Sequence, residues 1–169
     1  WPCSPRDCSR LPSACRRDRV GWPRWLPAPS VRARHVSVVV NPTAGRGKAG
    51  TLAPRVDRAL DEMGVAHRML ISAGPEEPEP LAREAALTGS DIVMALGGDG
   101  LAGMVANGLI GTGSAMSVVP AGNGNDFART LGLDRKRPLA ALGSLADLRI
   151  VEIDAVRVTT STSTRHYIG

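Results

Sequence analysis

Three short apolar runs, each breaking abruptly into glycine and asparagine and resuming as a helix-like segment, constrain what this chain can fold into. Val36-Ser37-Val38-Val39-Val40 ends in Asn41-Pro42-Thr43-Ala44-Gly45-Arg46-Gly47-Lys48. Ile92-Val93-Met94-Ala95-Leu96 ends in Gly97-Gly98-Asp99-Gly100. Ser117-Val118-Val119-Pro120 ends in Ala121-Gly122-Asn123-Gly124-Asn125-Asp126, ahead of Phe127-Ala128-Arg129-Thr130-Leu131. Strands alternating with helices build a parallel sheet covered by helices. The expected fold class is therefore α/β, a mostly parallel sheet flanked by helices. Ligands of such sheets bind beyond the carboxyl ends of the strands, so the three loops are placed to converge on one site.

The segments between the loops agree with this. Leu52, Val56, Leu60 and Met63 recur on one helical face, with Gly64 as the stop. Arg68 to Ser72 reads as another strand, and the acidic run Glu76-Glu77-Pro78-Glu79-Pro80 as the favourable start of a helix near Leu81 to Leu87. The helix after the glycine loop carries Met104 to Ile110, and a further short helix is expected over Leu139 to Leu148. Arg149 to Val158 then alternates with period two, Thr159 to Thr164 reads as a loop, and His166 to Gly169 as a returning strand. Domain limits follow: residues 1–34 a leader, 35–148 the α/β domain, 149–169 the opening strands of a second, β-rich unit.

The loop residues suit anion binding. Gly97, Gly98 and Gly100 leave backbone N–H groups open to a ligand, phosphate above all, at the start of a helix. Asp99 would repel phosphate directly, so it orients the loop, bonds a ribose hydroxyl or helps hold magnesium; the plainer reading is an Asx turn that only shapes the loop. Asn41 offers an amide to a base or sugar, Pro42 fixes the loop exit, and Thr43 and Gly45 can approach a nucleotide. Lys48 is either a phosphate contact or an exposed helix-start lysine. Asn123, Asn125 and Asp126 form the third wall, although Asn125 or Asp126 also suits a helix N-cap. One such loop alone reads equally well as a tight turn without ligand; three together favour nucleotide phosphates.

In this order the motifs Asn41-Pro42-Thr43-Ala44-Gly45, Gly97-Gly98-Asp99-Gly100 and Pro120-Ala121-Gly122-Asn123-Gly124-Asn125-Asp126-Phe127-Ala128 resemble the diacylglycerol kinase catalytic domain family. The match covers roughly residues 35 to 169 and is closest to the soluble bacterial lipid kinases, which are related to sphingosine kinases and NAD kinases. The resemblance implies the nucleotide-binding domain of that fold, ATP with Mg2+ as donor, and a lipid hydroxyl, of diacylglycerol or a relative, as acceptor at a membrane surface. It also implies that the catalytic base lies in a second domain beyond Gly169, so the chain is expected to be catalytically incomplete. Asn123 stands where the family usually has Thr and keeps its hydrogen-bonding capacity, and three further positions depart from the pattern. Leu101, Gly103 and Met104 stand where the family has Thr, Asn and Glu, which removes polar groups expected against the nucleotide. Two other readings stay open: an NAD or sphingoid-base kinase of the same fold, and a degenerate nucleotide-binding domain without catalysis.

Charge excludes one class of partner. The net +5 of the 169 residues resides in residues 1–34, with eight Arg against two Asp, a net +6; the rest carries 13 basic and 14 acidic residues, a net −1. With no basic face and one Tyr and one Phe in the globular part, nucleic acid is not an expected partner. All three Cys (Cys3, Cys8, Cys15) and all three Trp lie in the leader, at spacings that match no common zinc pattern. A disordered or non-native extension is the reading preferred to metal binding or membrane docking. The rest has no Cys, which fits a cytoplasmic location, with peripheral access to a membrane because no apolar run can span one. His35, His67 and His166 are scattered, and none is nominated as a base.

Overall fold

The computed structural model describes residues 33–145 and 150–168. Its first four strands are β1 (His35–Val40), β2 (Ala66–Ile71), β3 (Ile92–Gly97) and β4 (Ala115–Pro120), and they form one sheet in the order β2-β1-β3-β4. Every pairing in it is parallel, with Val38 opposite Met69 and Met94, and Ala95 opposite Val118. Alternate side chains go to opposite faces, as the strand repeat requires. Val36, Val38, Val40, Ile92, Met94 and Leu96 form one core with Leu52, Val56 and Leu60 of α1 (Lys48–Glu62). Val39, Val93 and Ala95 form the other with Ala82 and Ala85 of α2 (Pro78–Leu87) and Leu101, Val105 and Leu109 of α3 (Asp99–Leu109). The central strands β1 and β3 are apolar because helices cover them on both sides.

The helix readings hold, with shifted limits. Gly64 stops α1 at φ 66, where Val65 N–H reaches back to Leu60 O at 3.0 Å. Met63, assigned to the core face, is instead the C-cap and 40% exposed. Pro78 opens α2 three residues before Leu81, as proline does at a first turn. After β4 come the five-residue α4 (Asp126–Thr130) and a 3-10 helix (Pro138–Leu145) whose Ala141, Leu142 and Leu145 close the α1 face of the core.

The C-terminal strands are β5 (Ala155–Thr159) and β6 (Thr164–Ile168), an antiparallel pair and a second sheet. The strand expected over Arg149 to Val158 is shorter, because β6 offers only five partners; Ile150, Val151 and Ile153 are exposed and outside it. The readings of the leader up to residue 32, of residues 146–149 and of Gly169 lie outside the described residues. Among the described residues no helix is long and apolar enough to cross a membrane.

Candidate functional site

The loops after β1, β3 and β4 meet at the carboxyl edge of the sheet, and glycine is what lets them touch. Ala121 and Gly122 donate their N–H groups to Gly97 O at 2.8 and 3.1 Å. A side chain on Gly122 would overlap Gly98 Cα, and one on Gly98 would come within 3.1 Å of Gly122 Cα. The first loop closes from the other side: a Cβ on Gly45 would overlap the Ala121 carbonyl oxygen. The loop residues Gly45, Arg46 and Gly47 all take the left-handed conformation, at φ 61, 61 and 86. Gly97, Gly98 and Gly100 do not; Gly98 is extended at φ -106, and its glycine serves close approach rather than a special dihedral. Around Gly100 a Cβ would meet nothing, so the turn is open at the start of α3. There the N–H groups of the first helical turn have no partner within the helix, and the helix dipole favours an anion.

Asp99 lines the cavity beside that opening, yet its carboxylate is engaged by another loop. Its Oδ1 accepts the Phe127 N–H at 2.9 Å, so it caps α4 from another loop. Burial pushes its carboxyl up, but the backbone N–H groups of Phe127, Asp126, Asn125 and Asp99 itself outweigh this and hold it below its usual value. Of the readings open in the sequence, loop orientation is the one the geometry supports. Asn125 occupies the N-cap position of α4 without capping it. It is left-handed at φ 59 and buried, and its amide folds back on Gly122, accepting from the N–H and donating to the carbonyl, both at 2.8 Å. Asp126 is exposed and pairs with Arg129 at 2.6 Å; Asn123 is exposed.

In the first loop, Asn41 Oδ1 accepts from the Thr43 N–H at 3.1 Å and its hydroxyl at 2.8 Å, an Asx turn. Pro42 O accepts the Gly50 N–H at 3.2 Å, fixing the loop on α1, and Lys48 is exposed at the first position of that helix. Of the three departures, Leu101 is buried in the α2–α3 core beneath Gly97, so its side chain is part of the packing rather than the opening. Gly103 and Met104 line a cavity of about 360 Å³ with Asp99, Gly100, Asn107 and residues 165–168 of β6. Sequence spacing gave no sign of Asn107, Arg165, His166 or Tyr167 at this cleft, because the contact joins segments nearly 60 residues apart.

The diacylglycerol kinase catalytic domain family matches the chain over residues 35–158. A diacylglycerol kinase of Mycobacterium tuberculosis is 31% identical over 134 residues, covering 79% of this chain and 43% of the relative. A sphingosine kinase B of Dictyostelium discoideum is 25% identical over 131 residues, covering 73% and 17%. The crystal structure of a diacylglycerol kinase from Bacillus anthracis str. Sterne superposes with a TM-score of 0.58 at 27% identity, covering 66% of this chain and 39% of that one. The chain thus spans less than half the length of these relatives.

Proposed function

The chain belongs to the diacylglycerol kinase catalytic domain family, and on that premise we propose that it binds ATP at the meeting point of its three loops and serves phosphoryl transfer to a lipid hydroxyl. The observation that carries the reading is the open start of α3, framed by glycine loops packed too tightly for side chains. Phosphoryl transfer asks mainly for positioning and charge stabilisation, and unpaired N–H groups at a helix start supply both to a phosphate. Gly98, Gly100 and the first turn of α3 take the phosphates in this reading, with Asn41, Pro42, Thr43 and Gly45 on one side and Asn123, Asn125 and Asp126 on the other. Asp99 and Asn125 hold the loops rather than the ligand. Diacylglycerol or a related glycerolipid is the acceptor, reached at a membrane surface; a sphingoid base is the second reading, favoured by the Dictyostelium discoideum relative.

Magnesium enters this proposal as the companion of the nucleotide. Among the described residues no three His, Cys, Asp or Glu side chains gather to hold an ion, and Asp99 commits its carboxylate to backbone N–H groups. The described residues therefore do not fit a protein-held metal. No described residue is assigned as the base that deprotonates the acceptor.

The test is calorimetric titration of Mg-ATP into the chain and into Gly100→Asp. Aspartate has room at position 100 and suits the first turn of a helix, so the variant folds while presenting a negative charge to phosphate. Saturable binding that weakens at least about tenfold in Gly100→Asp supports the site. Equal affinity in the two, or no binding by the folded wild type, overturns it.

A further inference from the structure

The strand β6 is held to the main domain by three contacts of different kinds. Ile168 packs on Ala102, Val118, Phe127 and Ala128. The Arg165 guanidinium pairs with Glu79 of α2 at 2.6 Å. Asn107 of α3 does something more specific. Its Nδ2 donates to His166 O at 2.7 Å and to Gly103 O at 2.8 Å, while its Oδ1 accepts the His166 N–H at 2.8 Å. Every donor and acceptor of the amide is engaged in an expected way. At His166 the amide imitates a neighbouring strand, capping the peptide group that β6 turns away from β5. Asparagine is a poor residue for a helix, and alanine would be the better helix former at position 107. A partner outside the helix gives it a reason to be there.

The position of this amide matters more than its strength. Asn107 lies eight residues after Asp99, about 12 Å along the helix whose first turn is open. The cavity between that turn and β6 has α3 as its inner wall and Arg165, His166 and Tyr167 as its outer wall. We propose that Asn107 is a positioning residue: by pinning the His166 peptide to α3 it sets the distance of this outer wall from the phosphate-binding turn. The wall then acts on the part of the nucleotide beyond its phosphates. This rests on the reading of α3 as a nucleotide site.

Amide exchange and two ligands separate the possibilities. The chain, Asn107→Ala and Asn107→Asp are compared; aspartate keeps the shape but cannot donate to His166 O when ionised. In the wild type the His166 N–H is expected to be protected at least about tenfold beyond the Ser161 amide at the tip of the 160–163 turn, whose neighbours at 160, 162 and 163 are bonded. In Asn107→Ala that protection is lost while β1 and β3 stay protected; in Asn107→Asp it is reduced, because the carboxylate still accepts the His166 N–H but sets an oxygen against the His166 and Gly103 carbonyls. Mg-ATP affinity falls about tenfold, whereas tripolyphosphate, which needs only the turn, binds within about twofold of wild type. A wild-type His166 N–H exchanging as fast as the Ser161 amide overturns the proposal without any variant. Variants that lose the protection yet bind Mg-ATP as wild type overturn it as well. If the folded wild type binds neither ligand, the nucleotide reading fails first and the role of Asn107 toward it falls too.

Discussion

Removing the Asp99 carboxylate should loosen a loop that Asp99 does not belong to. α4 is five residues long, and Asn125 at its start makes no side-chain cap, so its N–H groups rely on Asp99 across the site. A hydrogen bond to a charged group contributes roughly 1.5–3 kcal/mol, and partial exposure of Asp99 argues for the lower end, about 1–2 kcal/mol for Asp99→Ala. In a domain of this size that lowers Tm by roughly 3–10 °C. Asp99→Asn keeps the acceptor and loses the charge, so about half the loss is expected. The backbone N–H groups hold the folded carboxyl below 3.8 after offsetting the cost of burial. A depressed folded value means stability that is present above the unfolded value and lost as pH falls through the folded one. Thermal melts at pH 7 should therefore separate wild type from Asp99→Asn, and the gap should close below about pH 4. An Asp99→Ala chain melting within about 1 °C of wild type at pH 7, or a gap that widens on acidification, would refute the cross-loop cap.

Asn125→Ala should cost about 2–4 kcal/mol in chemical denaturation, since it deletes two bonds to Gly122 and leaves a Cβ in the left-handed region. Gly122→Ala should destabilise by at least about 2 kcal/mol and weaken Mg-ATP binding together, because the methyl meets Gly98 backbone that cannot swing aside; unchanged denaturation would contradict the packing. Burial pushes the His67 imidazole down, but its bonds to Val65 O and Asp57 outweigh this and raise it above 6.5. NMR titration should find it raised in wild type and lower in Asp57→Asn. The stability that Asp57 confers is present below the unfolded value and lost as pH rises through the folded one.

The sheet was legible because its signals are local. Three apolar runs, each cut by glycine or asparagine, and the segment Arg68 to Ser72 give the four strands, and Gly64 marks a helix stop on its own conformation. The convergence of three loops followed from the geometry of parallel sheets rather than from any single residue. What the individual loop residues do was less legible. Asp99 and Asn125 each have a local role to offer, an Asx turn and an N-cap, and each takes a different one: Asp99 because packing brings Phe127 to it from another loop, Asn125 because its left-handed backbone folds the amide back on Gly122 three residues earlier. Leu101 looked like a lost hydroxyl in a site, whereas strand β3 turns it into the core. The cleft beside Asn107 left no trace in the spacing, since its two walls come from a helix and a strand with no shared periodicity.

The backbone contact between Gly98 and Gly122 has a consequence for how this surface can change over generations of mutants. The two loops form one rigid lip, so neither can gain a side chain unless the other retreats, and a retreat costs both. In a library selected only for soluble folding, positions 98 and 122 should remain glycine, whereas position 100, which faces open space, should drift freely. Selection for ligand binding should restore the restriction at 100 and leave the other two as they were. One pair of glycines, drawn from two loops, would thus record the demands of folding and their neighbour the demands of the ligand.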